Sequence, residues 1–146
     1  MSDRLSPGYQ PDFDLDRAVG EQGELFVSSI AAALSAGTVE VKYEQAASKY
    51  GNVYIEFSCR RGGEYVPSGI DTTGADLWAW VLGKNEPQIA VLVPVALARA
   101  VKERAVREGA IRTTIRGSHP TNGAIVSLAS LLRWLLAEAD ALGRAA

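Results

Sequence analysis

Apolar residues recur along this chain at two periods, and each period predicts a different element. From Arg17 to Ser35, Phe26, Ile30, Ala33 and Leu34 repeat every three or four residues, the spacing of one helix face, and Gly37 is placed to end that helix. Two stretches then alternate strictly, Thr38 to Glu44 and Asn52 to Cys59, as half-buried strands do. Val39, Val41 and Tyr43 share one face of the first; Val53, Ile55, Phe57 and Cys59 share one face of the second. The opposite faces carry Glu40, Lys42 and Glu44, then Asn52, Tyr54, Glu56 and Ser58. The loop Gln45 to Gly51 between them predicts an antiparallel pair. With Glu44 facing Asn52, Glu40 faces Glu56, their side-chain roots about 5 Å apart.

Gly62 and Gly63 mark a turn, and Glu64 to Gly69 reads as a short third strand. Thr72 or Thr73 then caps a helix to Leu82 that turns Leu77, Trp78, Val81 and Leu82 inward. Ile89 to Val95 is a continuous apolar run behind Pro87, which predicts a strand covered on both faces. A basic helix from Ala96 to Glu108 follows, closed by Gly109, then an alternating stretch from Ala110 to Arg116. A loop rich in Gly, Ser, Pro, Thr and Asn leads to a last helix, Leu128 to Leu142. Residues 1–15 hold Pro7, Gly8 and Pro11 without periodicity and read as an N-terminal arm. No repeat or linker divides residues 1–146, so the expectation is a single domain of the α/β (α+β) class, a sandwich of strands and helices.

Composition narrows the class. At 146 residues the chain is long enough to bury roughly 70% of its unfolded surface in one core. Hydrophobic residues at 47% and charged residues at 22% argue for a globular protein and against intrinsic disorder. Its apolar runs are too short to span a bilayer and its N-terminus lacks an apolar signal core, so no membrane contact and a cytoplasmic location are expected. A single cysteine, Cys59, excludes an internal disulfide, and a single histidine, His119, excludes a Cys/His zinc cluster. Net charge of −2 excludes binding polyanions by bulk charge, yet the charge is polarised. Residues 1–24 are acidic, whereas residues 99–116 carry Arg99, Lys102, Arg104, Arg107, Arg112 and Arg116 against only Glu103 and Glu108.

The alternating stretches bring chemistry into reach. Glu40 and Lys42 are two apart and so project from the same strand face. A carboxylate there can hold a divalent cation while the ammonium beside it orients water or stabilises charge on a phosphate. Magnesium takes oxygen ligands, usually one or two carboxylates with waters, and Glu40 with Glu56 supplies them. Two acids opposed on a hairpin also repel unless Lys42 or a metal sits between.

These residues resemble the PD-(D/E)XK nuclease superfamily, in particular its small phage and prophage members. Glu24 in Gly-Glu-Leu-Phe looks like the family's helix acid, and Val-Glu40-Val-Lys42 like its strand motif. Gly51 to Glu56, Pro67 to Ile70 and Thr73 to Trp78 are similar as well, so the resemblance covers about residues 20–95. It implies a restriction-endonuclease-like core, a central mixed sheet flanked by helices in the order α-β-β-β-α-β, with additional C-terminal helices. It also implies a phage- or prophage-derived, divalent-metal-dependent DNA nuclease. In one threading Glu24, Glu40 and Glu56 hold Mg2+ or Mn2+ and Lys42 positions the water. In the other, Glu40 and Lys42 form the ordinary acid-x-lysine pair, and an acid is missing or replaced by Glu44 or Asp71. No separate Asp-bearing strand fits between the first helix and Glu40, which favours an alternative, a catalytically inactive DNA-binding or assembly module. For either, Arg60, Arg61, Arg99, Lys102, Arg104, Arg112 and Arg116 are the expected phosphate contacts. The last helix has apolar surface enough for core or for a second copy, a homodimer.

Overall fold

The computed structural model describes residues 11–116 and 119–145. The chain divides into two compact units, one ending at Gly37 and the other beginning at Thr38.

The first unit is helix α1, Pro11–Ser35. Proline suits the first helical position because the missing N–H would have no intrahelical partner there. The predicted helix is therefore longer at its start. Residues 11–15 of the expected arm are helical, and the rest of that arm lies outside the described residues. Gly37 ends the run at φ +72°, where the Leu34 carbonyl accepts its N–H.

The second unit is α+β. Strands β1 (Val39–Glu44), β4 (Leu77–Leu82) and β5 (Ile89–Pro94) form a mixed sheet in the order β1-β4-β5. Strands β2 (Asn52–Arg61), β3 (Glu64–Pro67), β6 (Ile111–Arg116) and β7 (His119–Ser127) form an antiparallel sheet in the order β3-β2-β7-β6. Helices α2 (Ala47–Tyr50), α3 (Val95–Arg107) and α4 (Leu128–Ala145) complete it.

The predicted hairpin does not form. β1 pairs in parallel with β4, placing Glu40 beside Trp78, whereas β2 pairs with β3 and β7, placing Glu56 beside Gly123. The connection explains why. Residues 47–50 wind into α2, and Gly51 at φ +66° sends the chain into the other sheet. The expected succession of three paired strands is thus replaced by two sheets.

Helix Thr72–Leu82 is likewise corrected, since Leu77–Leu82 is strand β4. Its run Leu-Trp-Ala-Trp-Val-Leu is apolar at every position, so it satisfies a helical stripe by default; length and bulky side chains favour a central strand. Leu77, Trp78, Ala79 and Trp80 are all buried, which requires cover on both faces. β5 is an edge strand with Ile89 exposed, rather than a strand covered on both faces.

The loop read before Ser127 is strand β7, hidden by its Pro, Thr, Asn and Gly content. Tertiary packing overrides those residues. The Tyr54 ring lies over Gly123, where an added Cβ would come within 2.3 Å of Tyr54 Cζ. Tyr54 Oη donates to the Thr121 carbonyl at 3.0 Å, which ties the ring to β7.

One core joins the sheets. Trp78 and Trp80 of β4, Val53 and Ile55 of β2, and Ala124 and Val126 of β7 meet Ala98, Val101 and Ala105 of α3 and Leu131 and Leu135 of α4. The two indoles pack edge to face, with centroids 6.2 Å apart.

The Gly123 contact yields a test. Gly123→Ala should lower unfolding stability by about 2 kcal/mol in urea titration, because overpacking displaces the ring. In the Tyr54→Ala background the same change should cost much less, a non-additivity that marks the contact.

Candidate functional site

Alternation on β1 puts Glu40 and Lys42 on the same side, and their side chains join. Lys42 Nζ donates to Glu40 Oε1 at 2.6 Å, with both side chains about one-third exposed. The same ammonium stands 5.2 Å from the centroid of the Trp78 ring on the neighbouring strand. Glu40 Oε2 receives a long hydrogen bond, 3.5 Å, from Thr73 Oγ1.

Glu56 sits where β2 slips register against β7, between Glu56 and Ser58. Such a bulge re-aims side chains. Ser68 Oγ donates to Glu56 Oε1 at 2.7 Å, and the Ser68 N–H donates to the Phe57 carbonyl. Gly69 permits this approach. Its φ is +55°, and a Cβ there would lie 2.3 Å from the Glu56 carbonyl oxygen.

The two glutamates therefore do not face each other across a hairpin. Each is bonded to an end of the same segment, Ser68–Thr73, whose middle is a 3-10 turn at Gly69–Asp71. Helix α3 fixes that segment. Arg99 donates from Nε to the Ile70 carbonyl at 3.1 Å and from Nη2 to the Thr73 carbonyl at 2.8 Å. Lys102 Nζ lies 2.8 Å from Asp71 Oδ1, also contacts Glu103, and stands over the Phe57 ring.

Lys102 is only 6% exposed. Burial acts to lower its pKa, but the hydrogen bonds and charges of Asp71 and Glu103 outweigh it and hold the group above the ordinary lysine value. It is a buried strut, which corrects its expected role as a phosphate contact.

Other expected contacts are engaged too. Arg104 pairs with Glu108 at 3.1 Å and Glu138 at 3.7 Å, and stacks 5.0 Å from the Trp134 centroid. Arg60 donates to the Gly63 carbonyl and braces the β2–β3 turn. Arg61 and Arg112 are exposed, and the Arg116 side chain lies outside the described residues. Glu24 stands exposed on α1, in the helical unit. Among the described residues, no three His, Cys, Asp or Glu side chains converge as a metal-binding group, and no helix is long and apolar enough to cross a membrane.

Sequence reasoning missed the parts played by Ser68, Thr73, Arg99 and Lys102. A signal existed in Ser-Gly-Ile-Asp-Thr-Thr, where a glycine among hydroxyl residues marks a tight turn, but nothing in that string says which helix grips it. Comparisons with family models, curated proteins and solved structures find no match to this chain.

Because the folded pKa of Lys102 is raised, its stabilisation is complete below the unfolded value of 10.5 and is lost as pH rises through the folded value. Lys102→Met should cost about 1 to 3 kcal/mol near neutrality. In urea melts that deficit should stay level up to about pH 10 and shrink above it. Gly69→Ala should destabilise by about 3 kcal/mol, through a disfavoured φ and a backbone clash, measured the same way.

Proposed function

We propose that the second unit is a divalent-metal-dependent phosphodiesterase acting on DNA, centred on Glu40, Lys42 and Glu56. The observation that carries this reading is the shared tether: one rigidly held segment hydrogen-bonds both glutamates, and Lys42 is already bonded to the first. The mixed sheet β1-β4-β5 bears the acid-x-lysine strand, which supports the accompanying proposal of a restriction-endonuclease-like core.

The donor set suits a hard cation. Two carboxylates flanked by the hydroxyls of Ser68 and Thr73 are all oxygen, the chemistry that Mg2+ and Mn2+ prefer. Glu40 and Glu56 would hold the ion, whose charge would offset that of a phosphate. Lys42 has three N–H donors and spends one on Glu40. The others are free to orient a water or to bind a non-bridging phosphate oxygen, and the Trp78 ring steadies the ammonium meanwhile. Arg61 and Arg112 are exposed cations available to the DNA backbone.

A second reading is a nuclease-like module that binds DNA or assembles without cutting. It is favoured by the direct Lys42–Glu40 ion pair, which neutralises Glu40 without a metal, and by the want of a third acid at the site among the described residues.

Cleavage of labelled single- and double-stranded DNA with Mg2+ or Mn2+ separates the two. The first reading expects cutting that stops with EDTA and falls at least about 100-fold in Lys42→Ala and Glu40→Gln with the fold intact by circular dichroism. Salt-sensitive binding with no cutting on any substrate would transfer the assignment to the second reading.

A further inference from the structure

Helix α4 is apolar over a wider arc than its packing uses. At about 100° per residue, the arc from Leu131 through Leu135 and Leu132 to Leu136 covers roughly 140°. Leu131 and Leu135 are buried in the core, whereas Leu132 is 57% and Leu136 72% exposed. The exposed stripe continues as Ala129, Leu132, Leu136, Ala139 and Gly143, a three-four spacing that belongs to a helix-helix seam.

The charges beside that stripe are arranged for a particular partner. Arg133 and Asp140 flank the same edge, seven residues and about 10.5 Å apart along the axis, too far to meet within one helix. Among the described residues Arg133 donates to Ser130 Oγ, at 3.3 Å, and neither Arg133 nor Asp140 makes an ion pair. A second α4 laid antiparallel, with Arg133 opposite the partner's Asp140, forms that ion pair twice by symmetry. The same register sets Leu136 beside the partner's Leu136 near the two-fold axis. It also drops Leu132 between the partner's Ala139 and the partner's Gly143, a large side chain into a gap between small ones. Size and charge thus agree on this register.

We propose that the exposed stripe of α4 is a homodimer interface, with two antiparallel copies related by a two-fold axis through Leu136. This stands independently of any nuclease activity. The helix is about 27 Å long, so the contact is at the small end of specific interfaces and a weak, concentration-dependent dimer is expected.

Sedimentation velocity on the full chain, from about 1 μM to several hundred μM, tests the proposal. A dimer should accumulate with concentration, and Leu132→Glu with Leu136→Glu should remain monomeric while keeping the wild-type circular dichroism. Arg133→Asp alone places acid against acid, and Asp140→Arg alone places arginine against arginine. Each should weaken self-association about tenfold or more. An equimolar mixture of these two variants, and the double variant by itself, should regain wild-type association, because every pair is again of opposite sign. A wild-type chain that stays monomeric throughout would overturn the proposal. So would a dimer indifferent to the single reversals, or a mixture no better than its components.

Discussion

The ammonium of Lys102 is the fixed point on which the candidate site depends. A cation this buried is costly unless its partners are held in place, and Asp71 and Glu103 meet that requirement from two directions. Asp71 belongs to the 3-10 turn, so neutralising the lysine also pins the turn to α3. Arg99, one helical turn earlier, adds two bonds to carbonyls on either side. Rigidity is thereby passed outward to Ser68 and Thr73, and from them to the two glutamates. The side chains that bear the chemistry are ordered through a cation that is itself buried.

This arrangement separates support from chemistry. α3 reads in sequence as a basic surface strip, but its Arg99, Lys102 and Arg104 are all engaged in bonds within the protein. Net positive charge in a segment is a statement about residue counts; whether a cation is available to a ligand depends on which carboxylates or carbonyls the fold brings to it. Two of the acidic partners, Asp71 and Glu138, are remote in sequence from the cations they meet, whereas Glu103 and Glu108 are close by.

Local pattern made much of the fold legible. β1, β2, β3, β5, β6, α3 and α4 follow from alternation, apolar runs or helical spacing, and the shared face of Glu40 and Lys42 follows from the two-residue period. Pairing was not legible. Strict alternation says that a strand has a wet and a dry side, not which strand lies next to it, and four residues of α2 suffice to redirect β2 into another sheet. β4 was misread because a strand buried on both faces has no alternation to show. β7 was misread because its glycine and asparagine answer to Tyr54 and Ser58 on β2, not to a turn. The meeting of Glu40 and Glu56 on one segment depends on three elements at once, so no single stretch announces it.

The sheet pairings also set the order in which this chain can acquire its shape. Asn52 at the start of β2 pairs with Ser127 at the end of β7, and β1 waits for β4 across the whole of β2 and β3. Loop closure over such separations is slow, and local turns gain little before it happens. During synthesis, then, β2 can gain only its short neighbour β3 until most of the polypeptide has left the ribosome. Its edge toward β7 and its apolar face, with Val53 and Ile55, stay open over that interval, when a nascent chain is most exposed to mispairing and to capture by chaperones.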